Sequence, residues 1–417
     1  MQKRINRFHA SLPLLCFARG MVVVMLMAVT LVMFNRLDMS NGVATLVTSL
    51  FLLPLTLRPF LSPVIETTGQ RKWWMVLSLV LFGVTMYVVA GNMTLFPDNW
   101  KMWVAFAVAS IAGACFDAAA AENSRELLEK RNFGVMKVMV PSKLMAVVIV
   151  MGVMMLLAGN MEVVSRNIEE SWTLAFKVAT AIVLVIALLL WATVGKMSET
   201  GRNVSVVEAW QQRKKAMADW WKADRRWLFA LFVLFFPLHE FFLWRGTLLF
   251  LVDKGSIGGL SFSPQEMGFA FCTVATIIAM AGYVMGVECV RKNGLRKWWL
   301  VMALAFTVPD AIYVFLAYTM PGELWLVTVC LSVEQWCCGF GIVAFLLYIM
   351  YGNGEVCEKV HLDMCWSLVI ASIIISGCFT GVMQDYLGYR RFFIAVMAMA
   401  IIALCIAGWM AIKRKEQ

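Results

Sequence analysis

Twelve long apolar runs follow one another along this 417-residue chain, with few polar residues between them. A helix of about 20 residues crosses a hydrocarbon layer of roughly 30 Å, so each run is long enough to span a membrane. The runs do not alternate polar and apolar residues as barrel strands do. The sequence therefore predicts an all-α protein with transmembrane helices at 12–34, 43–65, 73–91, 102–121, 134–159, 172–195, 227–252, 265–288, 298–318, 325–350, 362–383 and 392–411.

Composition agrees with lipid as the main solvent. The chain is 61% hydrophobic and 15% charged, whereas a soluble domain is roughly 25% charged.

Lys3, Arg4 and Arg7 precede the first run, as in a secretory signal peptide. That run continues to Phe34 without a small-residue cleavage site, so we interpret it as the first transmembrane helix.

The distribution of basic residues predicts the topology. With the amino terminus inside, 24 of the 36 Lys and Arg residues lie in inside segments, 6 in outside loops and 6 within the runs. Lys and Arg accumulate in cytoplasmic loops, so we predict a multi-pass membrane protein with both termini cytoplasmic. Arg390 and Arg391 are exceptions, in a short outside loop. The net charge of +10 thus serves topology, and we expect no nucleic-acid partner.

The eleven cysteines lie mostly within apolar runs and form no C-x-x-C pair. We interpret them as small core residues. Cys337 and Cys338 are adjacent, but no histidine stands at ligand spacing from them. We therefore expect no metal site and no cofactor.

An internal repeat divides the chain. The segment Gln70 to Trp74 ends in Arg-Lys-Trp-Trp, and the same four residues recur 225 positions later at the end of Leu295 to Trp299. Parallel repeats of six helices are found in transporters that bind substrate between the repeats. The sequence predicts one half at 1–195, a basic linker at 196–226 and a second half at 227–417.

The linker combines basic and aromatic residues. Arg213, Lys214 and Lys215 lie between Trp210 and Trp220. This composition fits an amphipathic helix on the anionic cytoplasmic leaflet. A basic loop that only fixes topology is equally compatible with the sequence.

Ionisable residues within the predicted helices are a second signal. A charge at a helix centre in lipid costs about 2.5 kcal/mol or more, so such residues generally face cavities or pathways. They are Arg19, Arg58, Asp117, Lys137, Lys143, Lys177, His239, Glu240, Arg245, Asp310 and Glu334.

Depth along the helices separates their expected roles. Charges near the first Arg-Lys-Trp-Trp segment can form an ion-pair gate, or can simply snorkel to the interface. The gating candidates are Arg58, Glu66, Arg71, Glu122 and Arg125, with Asp117 beside them.

Glu240 and Glu334 lie deeper. Burial favours the protonated form of a carboxylate, which can then exchange a proton near neutral pH. His239 titrates in the same range, and because neighbouring helical residues point about 100° apart, we expect only one of His239 and Glu240 to face a cavity. A static ion pair between Glu240 and Arg245 is the competing interpretation.

Positive charge in the same region suggests an anionic substrate, since Arg and Lys bind carboxylates. The substrate-binding candidates are Arg19, Lys143, Arg245 and Asp310. Pro54, Pro141, Pro237 and Pro309 interrupt helices as hinges or as ordinary kinks.

Signatures of other functions are absent from the sequence. There is no G-x-x-x-x-G-K-[ST] loop for nucleotide hydrolysis, no H-E-x-x-H and no G-x-S-x-G. We therefore predict a non-enzymatic carrier that uses an ion gradient.

Several segments resemble one known family. They are Leu57-Arg58-Pro59 with the Gly69 to Trp73 loop, Phe116-Asp117-Ala118, Ser142-Lys143-Leu144, Phe236 to Glu240, Pro264 to Gly268 and Val333 to Gly341. These segments are similar to motifs of the anhydromuropeptide permease (AmpG-like) branch of the major facilitator superfamily. The family's Asp in the first loop is Glu66 here, its second span-four Asp is replaced or displaced to Glu122, and its span-seven Gly-Asp is His239-Glu240.

The resemblance implies a proton-driven importer of anhydromuropeptides in the bacterial inner membrane, with proton-coupling acids at Asp117, Glu240 and Glu334. We expect the protein to be a monomer. AmpG-like permeases are also associated with ferric-siderophore uptake, which remains an alternative cargo. A sensor that keeps the fold but signals through the linker is an alternative of another class.

Overall fold

The computed structural model describes residues 2–68, 71–94, 99–128, 132–194, 205–223, 225–351 and 358–413, excluding the side chains of 2–10, 122–128 and 409–413. Within these residues all regular structure is helical. The prediction of an all-α membrane protein is confirmed, because eleven described helices are long and apolar enough to cross a membrane. The last of them is two helices, since Gly388 divides it with a φ of 69°.

The spans follow the predicted runs closely. We number them, with the linker helix, in chain order. They are α1 (Ser11–Arg36), α2 (Asn41–Thr67), α3 (Arg71–Ala90), α4 (Trp100–Ala121), α5 (Phe133–Ser165), α6 (Ile168–Thr193), linker helix α7 (Val206–Lys222), α8 (Arg226–Val252), α9 (Pro264–Asn293), α10 (Leu295–Thr319), α11 (Leu324–Tyr351), α12 (359–387) and α13 (389–413).

Prolines mark three of the irregularities within spans. Pro54 lies in a 3-10 segment of α2, Pro237 precedes the second part of α8, and Pro309 lies in a 3-10 segment of α10. Pro141 lies inside a continuous helical stretch of α5. A missing N–H and a ring clash with the preceding turn explain why helices break at such positions.

Three spans contain π-helical segments that the sequence did not suggest. They lie in α1 at Met25–Val29, in α5 at Val147–Gly152 and in α9 at Gly268–Ala275. π-helical turns insert an extra residue per turn and frequently lie at functional sites.

The spans meet along a seam between α1–α6, the N-terminal set, and α8–α13, the C-terminal set. Across this seam α2 packs on α12, and α5 packs on α9. Outward-facing side chains such as Leu77 and Leu188 are 60% and 62% exposed. In a chain with membrane-crossing helices, such exposed apolar surface faces lipid.

Two glycines bring α9 and α11 into direct backbone contact. A Cβ atom on Gly282 would clash with the carbonyl oxygen of Trp336, and one on Gly339 would clash with that of Ala279. Small residues permit such close approach between transmembrane helices.

Linker helix α7 begins with a capping box in which Ser205 and Glu208 satisfy each other's backbone N–H groups. It packs on the ends of α2, α8 and α12. We call the side of the molecule that carries α7 the linker face, and the other side the opposite face.

Candidate functional site

A row of buried ion pairs crosses the seam near the linker face. Arg19 of α1 donates through Nε to Asp117 Oδ1 of α4 at 2.7 Å. Arg58 of α2 has Nη1 3.7 Å from Asp117 Oδ2, and its Nε donates to Asp363 Oδ1 of α12 at 2.9 Å. Because Asp363 belongs to the C-terminal set, these four charges link the two sets of helices.

A second layer of charges lies closer to the surface. Arg213 of α7 places Nη2 3.1 Å from Glu66 Oε1 of α2 and Nη1 3.6 Å from Asp363 Oδ2. Lys359 of α12 also contacts Glu66. The linker helix therefore bridges both sets, and we call the two layers together the linker-face lock.

A different network closes the opposite face. Asp253, which follows α8, accepts hydrogen bonds from Asn35 of α1 at 2.6 Å and from Asn41 of α2 at 2.6 Å. Tyr389 of α13 donates to the same carboxylate, and Asn41 also donates to Gln384 of α12 at 2.8 Å. We call these five residues the opposite-face lock. Its donors are neutral, whereas the linker-face lock consists of ion pairs.

Both locks are formed in the same structure. Their side chains are mostly buried, with Arg58 at 4% exposure and Asp253 at 5%. The seam is thus joined on both faces, which is the arrangement of an occluded state.

Three carboxyl groups lie together in the interior of the C-terminal set, and we call Glu240, Asp310 and Glu334 the carboxyl cluster. One carboxylate oxygen each of Glu240 and Glu334 and the Sγ atom of Cys338 all lie within 4.8 Å of one another. The same holds for one ring nitrogen of His239 and one carboxylate oxygen each of Glu240 and Asp310. The three acids are almost fully buried. Among the described residues, no Lys or Arg forms an ion pair with them.

Hydrogen bonds orient the cluster without saturating it. Tyr313 Oη donates to Glu334 Oε2 at 2.7 Å, Gln335 Nε2 donates to the same oxygen at 3.0 Å, and Cys338 Sγ donates to Glu240 Oε1 at 3.2 Å. One buried oxygen of each acid lacks a hydrogen-bond partner in the described structure, namely Glu240 Oε2, Glu334 Oε1 and Asp310 Oδ2. Repulsion between charges this close disfavours simultaneous ionisation, so the cluster is suited to hold protons.

His239 lies inside with Glu240. The break at Pro237 starts the second part of α8, and both residues that follow Leu238 are buried. His239 Nε2 lies 3.3 Å from the carbonyl oxygen of Phe306 and 3.7 Å from Asp310 Oδ2. The two neighbours thus share one polar region, although we expected only one to face a cavity.

Arg245 is a buried cation on the seam. Its Nη1 donates to the carbonyl oxygen of Thr45 at 3.2 Å and to Thr48 Oγ1 at 3.1 Å, both on α2. Its Nε and Nη2 atoms are buried and have no hydrogen-bond partner among the described residues. The static pair with Glu240 is therefore not formed. A guanidinium with two free buried donors is suited to bind an anion.

The model of the Major Facilitator Superfamily matches residues 13–355. The chain belongs to this superfamily.

Solved structures of major facilitator proteins have the same fold. The nucleoside transporter NupG aligns with a TM-score of 0.67 at 13% identity, covering 98% of this chain and 99% of that one. A structure from work on proton-dependent oligopeptide transporters aligns with a TM-score of 0.68 at 15% identity, covering 98% of this chain and 100% of that one. The proton:xylose symporter XylE bound to 6-bromo-6-deoxy-D-glucose aligns with a TM-score of 0.59 at 13% identity, covering 98% of this chain and 96% of that one. No curated protein matches the chain in sequence. The protein is thus a multi-pass membrane transporter of the major facilitator class.

The remaining substrate and coupling candidates of this major facilitator protein lie closer to the linker face. Arg19 is engaged by Asp117, which places both in the linker-face lock and Asp117 outside the carboxyl cluster. Lys143 Nζ of α5 lies 4.3 Å from the ring centroid of Trp366 on α12, so it contributes a cation–π contact across the seam.

Of the five gating candidates, three have described side chains, and all three lie at the linker face. Arg58 and Glu66 belong to the linker-face lock. Arg71 begins α3 on the same face. The side chains of Glu122 and Arg125 lie outside the described residues. Of the other charges predicted within spans, Lys137 pairs with Glu288 across α5 and α9, and Lys177 lies exposed on α6.

Sequence reasoning missed several residues of this site. Asp363 lies in the first turns of α12, at the start of the predicted run 362–383. The rule for charges within apolar runs would have selected it. Tyr313 carried no signal. Cys338 was considered only as a metal ligand, beside Cys337, and was then interpreted as a core residue. Asp253 stood in a predicted loop, where a carboxylate is unremarkable.

Proposed function

We propose that this protein is a proton-coupled importer of a small anionic solute. The observation that supports it is the carboxyl cluster, which consists of three buried acids without a Lys or Arg partner among the described residues. Glu240 and Glu334 are its proton-coupling groups, and Arg245 on the same helix as Glu240 binds the anion.

The coupling follows from the energetics of buried charge. Protons neutralise the acids, and the anion satisfies the free donors of Arg245. Isolated charges in the membrane interior are unfavourable, so a seam that carries both ligands can rearrange, whereas a seam that carries one retains an uncompensated charge. A ligand shifts such an equilibrium only by its different affinity for the two states.

For the cargo we propose anhydromuropeptides, taken up into the cytoplasm for cell-wall recycling. The AmpG-like motifs support this choice. Two of the structural neighbours are named for proton coupling, one with a sugar and one with oligopeptides, and a muropeptide combines these two groups. An anionic ferric siderophore is the second candidate, because it would fit Arg245 equally well.

Reconstituted vesicles with an inward proton gradient test the proposal. Labelled GlcNAc-anhydroMurNAc peptide should accumulate and be accompanied by proton entry, and Glu240→Gln or Glu334→Gln should abolish accumulation. Glu323→Gln, an exposed acid beside α11, is the matched control and should transport normally. Absence of uptake and of proton movement with both muropeptides and siderophores would refute the proposed proton-coupled import of either cargo.

A further inference from the structure

Linker helix α7 has two chemically different faces. Its inner face contributes Arg213 to the linker-face lock and buries Trp220, whose Nε1 lies 3.1 Å from His361 Nδ1 of α12. These contacts fix the rotation of the helix. Packing against the protein therefore explains one face of α7 and leaves the other to solvent or lipid.

The other face carries a stripe of aromatic and basic side chains. Val207, Trp210, Lys214, Ala218 and Trp221 recur at spacings of three and four, so they share one side of the helix. Trp210 and Trp221 are 41% and 47% exposed, and Val207 is 65% exposed. Lys215 and Lys222 flank the stripe. We call these seven residues the outer stripe.

The position of Trp210 relates the outer stripe to the membrane boundary. Its ring lies 6.4 Å from that of Phe60, which is on transmembrane helix α2 and is itself 41% exposed. An exposed phenylalanine on a membrane helix faces lipid. Trp210 therefore lies next to the lipid-facing surface, at the level where tryptophans anchor membrane proteins.

We propose that the outer stripe binds the headgroups of anionic phospholipids and so holds α7 on the linker-face lock. An exposed tryptophan at the membrane boundary, a second exposed tryptophan on the same side of the helix and lysines among them match the chemistry of an anionic lipid surface. The acids of α7, Glu208 and Asp219, lie away from the side that carries Trp210 and Lys214. Among the described residues, Asp219 contacts Lys222 at 3.6 Å. Lys214 and Lys215 are therefore the residues that carry the attraction.

Hydrogen exchange of the full-length protein in nanodiscs tests this inference. With phosphatidylcholine alone, the amides of α7 should exchange faster than with added phosphatidylglycerol, by about fivefold for each lysine engaged. Raising the salt concentration should reduce the difference, because exposed charges are screened. Peptides from α9 and α11 serve as internal references that the lipid should not affect.

A double variant and its matched control complete the test. Lys214→Gln with Lys215→Gln should abolish the effect of phosphatidylglycerol on α7, whereas Lys101→Gln with Lys254→Gln, exposed lysines of the opposite face, should leave it intact. Equal exchange of the wild-type α7 amides in both lipids would overturn the proposal. So would an undiminished effect of phosphatidylglycerol on α7 in the Lys214→Gln, Lys215→Gln variant. Neither result bears on proton-coupled transport, which is measured separately.

Discussion

Arg58 and Asp363 are 305 residues apart in the chain, yet their side chains meet at 2.9 Å across the seam. Both are buried, so each charge depends on the other for compensation. A buried pair adds little net stability compared with an apolar pair, but loss of one member leaves an uncompensated charge. The contact thus makes closure of the linker face dependent on charge.

Asp363→Asn should release the linker face. The substitution leaves Arg58 with only the more distant carboxylate of Asp117, which destabilises the closed state by about 3–5 kcal/mol. We expect faster maleimide labelling of Cys16, which is fully buried here, as measured by site-resolved mass spectrometry. Asp219→Asn on the exposed side of α7 is the control and should not change the rate. Unchanged labelling in Asp363→Asn would show that the lock does not govern access.

Asp253→Ala should weaken the opposite face. Asn35, Asn41 and Tyr389 would lose their common acceptor, and each unsatisfied buried donor costs about 1–3 kcal/mol. Site-directed labelling from the opposite face should increase, with labelling from the linker face unchanged. Asp253→Asn retains one acceptor oxygen and should have a smaller effect; an equal effect of both variants would contradict the hydrogen-bond explanation.

Arg245→Lys should impair anion binding while it keeps the positive charge. Lysine lacks the planar set of donors that grips a carboxylate, and the loss of one charged hydrogen bond, about 1.5–3 kcal/mol, corresponds to a KM raised at least about tenfold. Uptake kinetics in vesicles measure it. Lys254→Met, an exposed site, should leave KM unchanged. A normal KM in Arg245→Lys would remove this residue from the binding site.

Gly339→Ala should destabilise the protein. A methyl group there would meet the carbonyl oxygen of Ala279, and overpacking of this kind costs about 1–3 kcal/mol. Thermal unfolding in detergent should show a lower Tm. Gly322→Ala is the matched control, because nothing lies within 4 Å of its Cβ position. Equal Tm values for the two variants would mean that the helices tolerate separation.

The fold was predictable because length and hydropathy alone determine what can cross a membrane. The predicted run at 43–65 became Asn41–Thr67, and the run at 227–252 became Arg226–Val252. The interruptions at Pro54, Pro237 and Pro309 were also predicted, since proline lacks the backbone N–H that a helix needs. Pro141 was predicted to interrupt its helix for the same reason, but the helix continues through it. The π-helical segments were not predicted, because they depend on packing between helices.

The site was predictable only in part. Buried charge identified Glu240, Glu334 and Arg58 from the sequence, because lipid tolerates few such residues. Their partners could not be identified, since pairing across the seam joins residues hundreds of positions apart. A static pair between Glu240 and Arg245 was the competing interpretation, but Arg245 donates to Thr48 of α2 instead. Hydropathy reports depth in the membrane and does not report direction around a helix.

The contact of Gly282 with the backbone at Trp336 has a mechanical meaning. No side chain lies between helices whose main chains touch, and close-packed interiors transmit displacement. At one end α9 holds Glu288 against Lys137 of the N-terminal set, while α11 carries Glu334. Movement at the surface of the seam therefore reaches a buried carboxyl group through two main chains in contact.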